Sequence, residues 1–127
     1  MPETWFDSPE TGWRIGRMVV VPITVLLAPS AGYGVERVPA EGGAVVAANH
    51  FSGIDHPLIG SYSPRTLYFL AKSELMDIPI LGSALRSLGV FGVRRGESDR
   101  EAVRHARGLV RDGELVVVHV EGTRQRF

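Results

Sequence analysis

Asp99-Arg100-Glu101-Ala102-Val103-Arg104-His105-Ala106-Arg107-Gly108-Leu109-Val110-Arg111-Asp112-Gly113-Glu114-Leu115-Val116-Val117-Val118 is the stretch that decides the fold class. Ala102, Val103, Ala106, Leu109 and Val110 recur at the spacing of one helical face. Ser98 followed by Glu101 is a capping-box pattern, so a helix is expected from Asp99 to Asp112. Gly113 is a stop signal. Leu115 to Val118 has no polar alternation, which fits a strand covered on both faces, the usual state of parallel strands.

The same alternation extends upstream. Ala44 to Ala48, Thr66 to Ala71 and Val90 to Val93 read as short buried strands. Pro57 to Tyr62 begins a helix, with Asp55 placed as its N-cap and Pro57 in its first turn. Ile78 to Leu88 is apolar at helical spacing and ends at Gly89. Gly32 to Val38 is a short alternating stretch, and Pro39 to Gly43 is a turn cluster. Strands alternating with helices predict an α/β fold: a mostly parallel sheet with covering helices.

Composition excludes several functions. The 127 residues carry 44% hydrophobic and 22% charged side chains, ordinary for a globular chain. Net charge is zero, so no nucleic-acid partner is indicated. From Arg86 onward nine basic and six acidic residues leave a local net of +3. Lys72 is the single lysine against thirteen arginines. The absence of cysteine removes disulfides, thiolate nucleophiles and cysteine-zinc sites.

Residues 1–30 form an N-terminal tail and a helical segment, with 31–127 as the remaining domain. Met1 to Glu10 has three acids and no base, the wrong charge for a secretory signal. The apolar run Met18 to Pro29 is shorter than the roughly 20 residues a membrane span needs. Trp5, Trp13, Arg14 and Arg17 flank it, which suits a membrane interface, and equally a buried packing helix.

Asn49-His50-Phe51-Ser52-Gly53-Ile54-Asp55 lies just past the first strand. On a continuous helix His50 and Asp55 would diverge by about 140°. Ser52-Gly53 breaks the helix and lets the acid fold back onto the imidazole. A histidine held by a carboxylate is a general base. The alternative is a histidine finishing a strand and an aspartate capping a helix. Phe51 and Gly53 stand where an upstream zinc-binding His-x-His would lie, so no metal is expected and His56 is read as a helix-start histidine. Ser52 has no Gly-x-Ser-x-Gly elbow around it and reads as a turn hydroxyl. Glu121-Gly122-Thr123-Arg124 follows the last strand and offers a glycine turn, a hydroxyl and a guanidinium, a set suited to a phosphate. Arg94-Arg95-Gly96 follows another strand end. In open parallel sheets, ligands bind at this rim.

Asn49-His50-x4-Asp55, Phe69 to Leu75, Val93 to Gly96 and Glu121 to Arg124, in this order, resemble the glycerolipid acyltransferase family, typified by 1-acylglycerol-3-phosphate acyltransferases. The resemblance covers roughly residues 12 to 127. It implies His50 as general base, oriented by Asp55, with no cofactor. The expected reaction moves an acyl group from acyl-CoA or acyl-carrier protein to the hydroxyl of a lysophosphatidate-like acceptor. Arg95, Glu121, Gly122, Thr123, Arg124 and Lys72 match the family's substrate-binding positions. It also implies that the segment from Trp13 to Pro29 associates with a membrane, on its cytoplasmic face. The partners are then an acyl thioester, a lysophospholipid-type acceptor and the membrane surface. Three motif positions depart from the family pattern: His119-Val120 stands where Phe-Pro is usual, and Arg94 stands where an acid is common. The family domain continues past the segment matching Glu121 to Arg124, so the fold is expected to be incomplete at the C-terminus and the chain to be a fragment of a longer protein.

Overall fold

The computed structural model of the chain describes residues 9–94, 96, 98–122, 124 and 125. Four strands form one sheet: β1 (Ala44–Ala48), β2 (Leu67–Lys72), β3 (Val90–Val93) and β4 (Leu115–His119). Their spatial order is β1-β4-β2-β3, and every pairing is parallel. Parallel neighbours need crossovers. Helix α2 (Asp55–Tyr62) joins β1 to β2, α3 (Ser73–Met76) and α4 (Leu81–Ser87) join β2 to β3, and α5 (Arg100–Arg111) joins β3 to β4. The first helix, α1 (Pro9–Leu27), precedes the sheet, and a single 3-10 turn occupies Val35–Arg37.

The strand inserted last is the most buried. Leu115, Val116 and Val117 are at most 1% exposed, as expected for a strand with neighbours on both edges and side chains covered on both faces. On β1, an edge strand, Val45 and Ala47 are exposed and Ala44, Val46 and Ala48 are half-buried. On one face of the sheet Leu67, Phe69, Leu115 and Val117 pack with Trp13 of α1 into the core. The Trp13 and Phe69 rings stack with centroids 6.4 Å apart. α5 packs against β3 and β4 and buries Ala102.

α1 is bound to the domain through its inner side. Arg17 donates to the carbonyls of Ser63 (2.6 Å) and Ser61 (3.0 Å) at the end of α2, where helix carbonyls lack partners. A Cβ on Gly12 would lie 1.9 Å from the Ser87 carbonyl oxygen at the end of α4, so only glycine permits this approach.

Three sequence expectations need correction. Asp55 is not an N-cap; Ile54 occupies that position without a side-chain cap, and Asp55 is the first helical residue. Its carboxylate is drawn back to the preceding turn instead. Asp99, not Ser98, caps α5, its carboxylate accepting from the Ala102 amide at 3.1 Å. The helix expected from Ile78 starts at Leu81. Pro79 pushes the preceding residue towards extended backbone, and Ile80 adopts φ +69°, outside the helical region. Gly113, at φ +92°, follows α5 in the left-handed conformation that favours glycine, as expected.

Candidate functional site

Each strand of a parallel sheet ends on the same rim, so His50, Lys72, Arg94, Val120, Glu121, Gly122, Arg124 and Gln125 are carried to one side of the molecule. β1 and β4 pair in register with Ala48 opposite His119. Beyond the ladder, the Val120 amide donates to the Ala48 carbonyl (3.2 Å) and the Gln125 amide to the His50 carbonyl (2.8 Å). The Glu121 carboxylate accepts from the His50 amide at 3.2 Å. Segments 71 residues apart are thereby bonded together. Gly122, at φ +69°, turns the chain after β4, and its amide donates to the His119 carbonyl at 3.0 Å.

The His50 and Asp55 side chains meet. His50 Nδ1 and Asp55 Oδ2 are 2.8 Å apart, and His50 is 5% exposed. The same oxygen accepts from the amides of Phe51 (2.7 Å) and Ser52 (2.9 Å). Ser52 Oγ accepts from the Ile54 amide at 3.3 Å, completing the turn. Burial alone would raise the Asp55 carboxyl. The Ser52 amide, the His50 ring and the Phe51 amide outweigh it and hold the carboxyl below its ordinary value. An ionised carboxylate only accepts, so His50 Nδ1 carries the hydrogen and Nε2 keeps its lone pair.

Two further imidazoles crowd this ring. His119 stacks on His50 with centroids 4.1 Å apart and planes at 26°. His56, the second residue of α2, lies 5.7 Å from His50 and 4.8 Å from His119. His56 and His119 join Nε2 to Nε2 at 2.9 Å, and His119 Nδ1 sits 3.1 Å from the Asn49 carbonyl. Sequence reasoning did not place these two beside His50. The signal was present: parallel pairing brings the end of β4 level with the end of β1, and His56 follows Asp55 directly. Among the described residues no three histidine or acidic side chains are disposed to hold a metal ion.

His56 also lines an apolar cavity of about 400 Å³. Trp13, Gly16, Val20 and Val21 of α1, Gly60 of α2, Phe69 of β2, Leu85 of α4 and Leu88 just past it supply its walls. The cavity and the histidine cluster therefore share one side chain.

The remaining expected residues are more dispersed. Lys72 is exposed at the end of β2, and Arg124 is exposed beside the Gln125–His50 contact. The Arg94 amide donates to Asp99 at 2.9 Å and its guanidinium lies 3.6 Å from the same carboxylate. Arg95 and Thr123 lie outside the described residues.

Known proteins resemble this chain in sequence and fold. A family model described as Acyltransferase matches residues 31–127. The 1-acyl-sn-glycerol-3-phosphate acyltransferase of Bacillus subtilis is 30% identical over 72% of this chain and 47% of its own length. The lyso-ornithine lipid O-acyltransferase of Pseudomonas aeruginosa is 37% identical over 60% of this chain and 29% of its own length. The crystal structure of the 1-acyl-sn-glycerophosphate acyltransferase PlsC of Thermotoga maritima superposes with a TM-score of 0.70 at 28% identity, covering 92% of this chain and 47% of that one. The chain thus spans about half the length of the Bacillus and Thermotoga proteins or less. The family model over residues 31–127 and the shared fold show that the chain belongs to the acyltransferase family.

Proposed function

We propose that this protein takes part in glycerolipid synthesis by moving a fatty acyl group from acyl-CoA or acyl-carrier protein to the hydroxyl of a lysophosphatidate-like acceptor. The observation that carries this reading is the His50–Asp55 contact beside an apolar cavity. His50 Nε2 takes the proton as the acceptor hydroxyl attacks the thioester carbonyl. A carbon–oxygen bond forms, the carbon–sulfur bond breaks, and the leaving sulfur receives the proton from the imidazolium. Asp55 fixes the tautomer and stabilises the transient charge. No acyl-enzyme is required.

The acyl chain occupies the cavity between α1, α2 and α4, where burial of its methylenes drives binding. Arg124, Lys72 and Gly122, together with Arg95 and Thr123 from the matching motif positions, bind the anionic part of the acceptor. Glu121 acts through the His50 amide and keeps the turn after β4 against the base.

The substrates are amphiphiles, and α1 suits their surface. Ile15, Met18, Val19, Ile23, Leu26 and Leu27 are exposed while Trp13 and Thr24 are buried. Among the described residues no helix is long and apolar enough to cross a membrane. We place α1 in the interface, on the cytoplasmic side, with its exposed apolar side chains in lipid.

A second acceptor class is favoured by the identity to the lyso-ornithine lipid enzyme. Assays with acyl-CoA and either lysophosphatidate or lyso-ornithine lipid separate the two. Replacing His50 with alanine is expected to lower transfer by about 10²–10⁴-fold with the fold retained, the range for a general base. Undiminished transfer would remove His50 from the reaction.

A further inference from the structure

The arginines of α5, Arg100, Arg104, Arg107 and Arg111, are all exposed. At about 100° of turn per residue they fall within an arc of roughly 60°. The arc lies opposite Ala102 and Leu109, on the inner side of the helix. Successive arginines stand four, three and four residues apart, the spacing at which like charges repel. Alternating signs along this face would stabilise the helix, and four like charges do not. Among the described residues none of the four forms an ion pair. Val103, 53% exposed, borders the stripe.

The stripe has a fixed relation to the acyl site. Val90 of β3 packs against the core beneath α1, and the next residue, Phe91, meets His105 of α5 at 4.8 Å. Successive strand residues point to opposite faces, so α1 and α5 cover opposite faces of the sheet. Helix α5 begins at the rim: the Arg94 amide, just past β3, donates to Asp99, whose carboxylate caps the helix. The apolar cavity lies on the α1 face, and His50 stands on the rim. A thioester held at His50 with its chain in the cavity can reach over the rim to α5 with its other end.

From this placement we propose that the arginine stripe of α5 docks an acyl-carrier protein with an acidic surface, as the donor in the reaction proposed above, on which this inference rests. Charge complementarity selects the occupant. The stripe runs for about 16 Å, at 1.5 Å per residue, the extent of a protein surface. The groove beside it, lined by Arg94, Arg104 and His105, also presents Asp99, Glu101 and Asp112, which oppose the clustered phosphates of CoA. A membrane in contact with α1 lies across the sheet from the stripe. Val103 adds an apolar contact at the stripe's edge.

The test is calorimetric titration of the protein with hexadecanoyl-loaded acyl-carrier protein, without acceptor. It compares the wild type with the pairs Arg104→Glu/Arg107→Glu and Arg104→Gln/Arg107→Gln. Charge reversal is expected to weaken carrier binding by about tenfold or more, and neutralisation by less. Binding to anionic phospholipid vesicles and kcat/KM with hexadecanoyl-CoA are expected to stay at the wild-type values. The glutamine pair relieves repulsion within α5, so it reports even where the glutamate pair does not fold. Equal carrier affinity in the wild type and the folded variants, or no carrier binding by the wild type, would overturn the proposal. So would an equal loss of kcat/KM with hexadecanoyl-CoA, which would give the stripe to the nucleotide, or a loss confined to vesicle binding, which would give it to lipid. Arginine-dependent carrier binding without transfer from either donor would uphold the docking surface and overturn the proposed reaction instead.

Discussion

One side of α2 is polar and closely bonded, and the other is apolar and partly empty. On the first, a single Asp55 oxygen accepts from the His50 ring and two amides, and the histidine rings stack above it. On the second, Gly60 is so near Trp13 that an added Cβ would sit 3.1 Å from the indole, and the walls are leucine, valine and aromatic rings. His56 belongs to both sides. A short helix can thus present charge chemistry and chain binding to two ends of one amphiphile. Each side obeys its own rule: polar groups are paired, and apolar groups surround space that a hydrocarbon can fill.

Substitutions on one side are expected to leave the other's property intact. Asp55→Asn removes the negative acceptor that holds the His50 tautomer. It is expected to lower acyl transfer by about 10²-fold or more without changing acyl-chain preference, read from rates across a series of chain lengths. A changed chain preference would break the division between the two sides. Val20→Phe fills part of the cavity. It is expected to reduce transfer of the longest chains by about tenfold relative to short ones, the scale of a methylene or two in an apolar pocket, with the pH profile unchanged. Leu26→Asp places a charge at an 80% exposed position on the outer face of α1. Binding to phospholipid vesicles is expected to weaken several-fold while the rate on detergent-dispersed substrate holds; equal sedimentation with vesicles would remove this face from the interface.

The smallest effect concerns pH and stability. The Asp55 carboxyl is held below its ordinary value of 3.8, so the unfolded chain binds this proton more tightly than the folded one. The stabilisation is complete above that value and is lost as the pH falls through the lowered one. Thermal unfolding followed from neutral to acid pH is expected to show this loss in the wild type. Asp55→Asn, having no such proton, is expected to lack that component.

Much of the architecture was legible because each strand or helix carried a local signal. The unbroken apolar run Leu115 to Val118 became the most buried strand, and the apolar stripe from Ala102 to Val110 became α5. Helix starts were less legible, since Asp99 and Ser98 are equally good caps by type and only the geometry of the turn selects one. Asp55 has the composition of a cap, yet its oxygen found a better set of donors behind it. The apolar segment before the domain fitted two environments, and α1 has two sides: Trp13 and Thr24 are buried while Leu26 and Leu27 are exposed.

The residues themselves determined the strand and helix types, the strand-end location of His50 and Glu121, and the donor and acceptor chemistry of each motif, because periodicity and side-chain type are local properties. The strand order β1-β4-β2-β3, the stacking of His119 on His50, the His56 bridge and the cavity against α1 were decided only in three dimensions. They depend on which strand inserts beside which and how closely helices approach. Those choices are made by packing between segments tens of residues apart, and no local pattern encodes them.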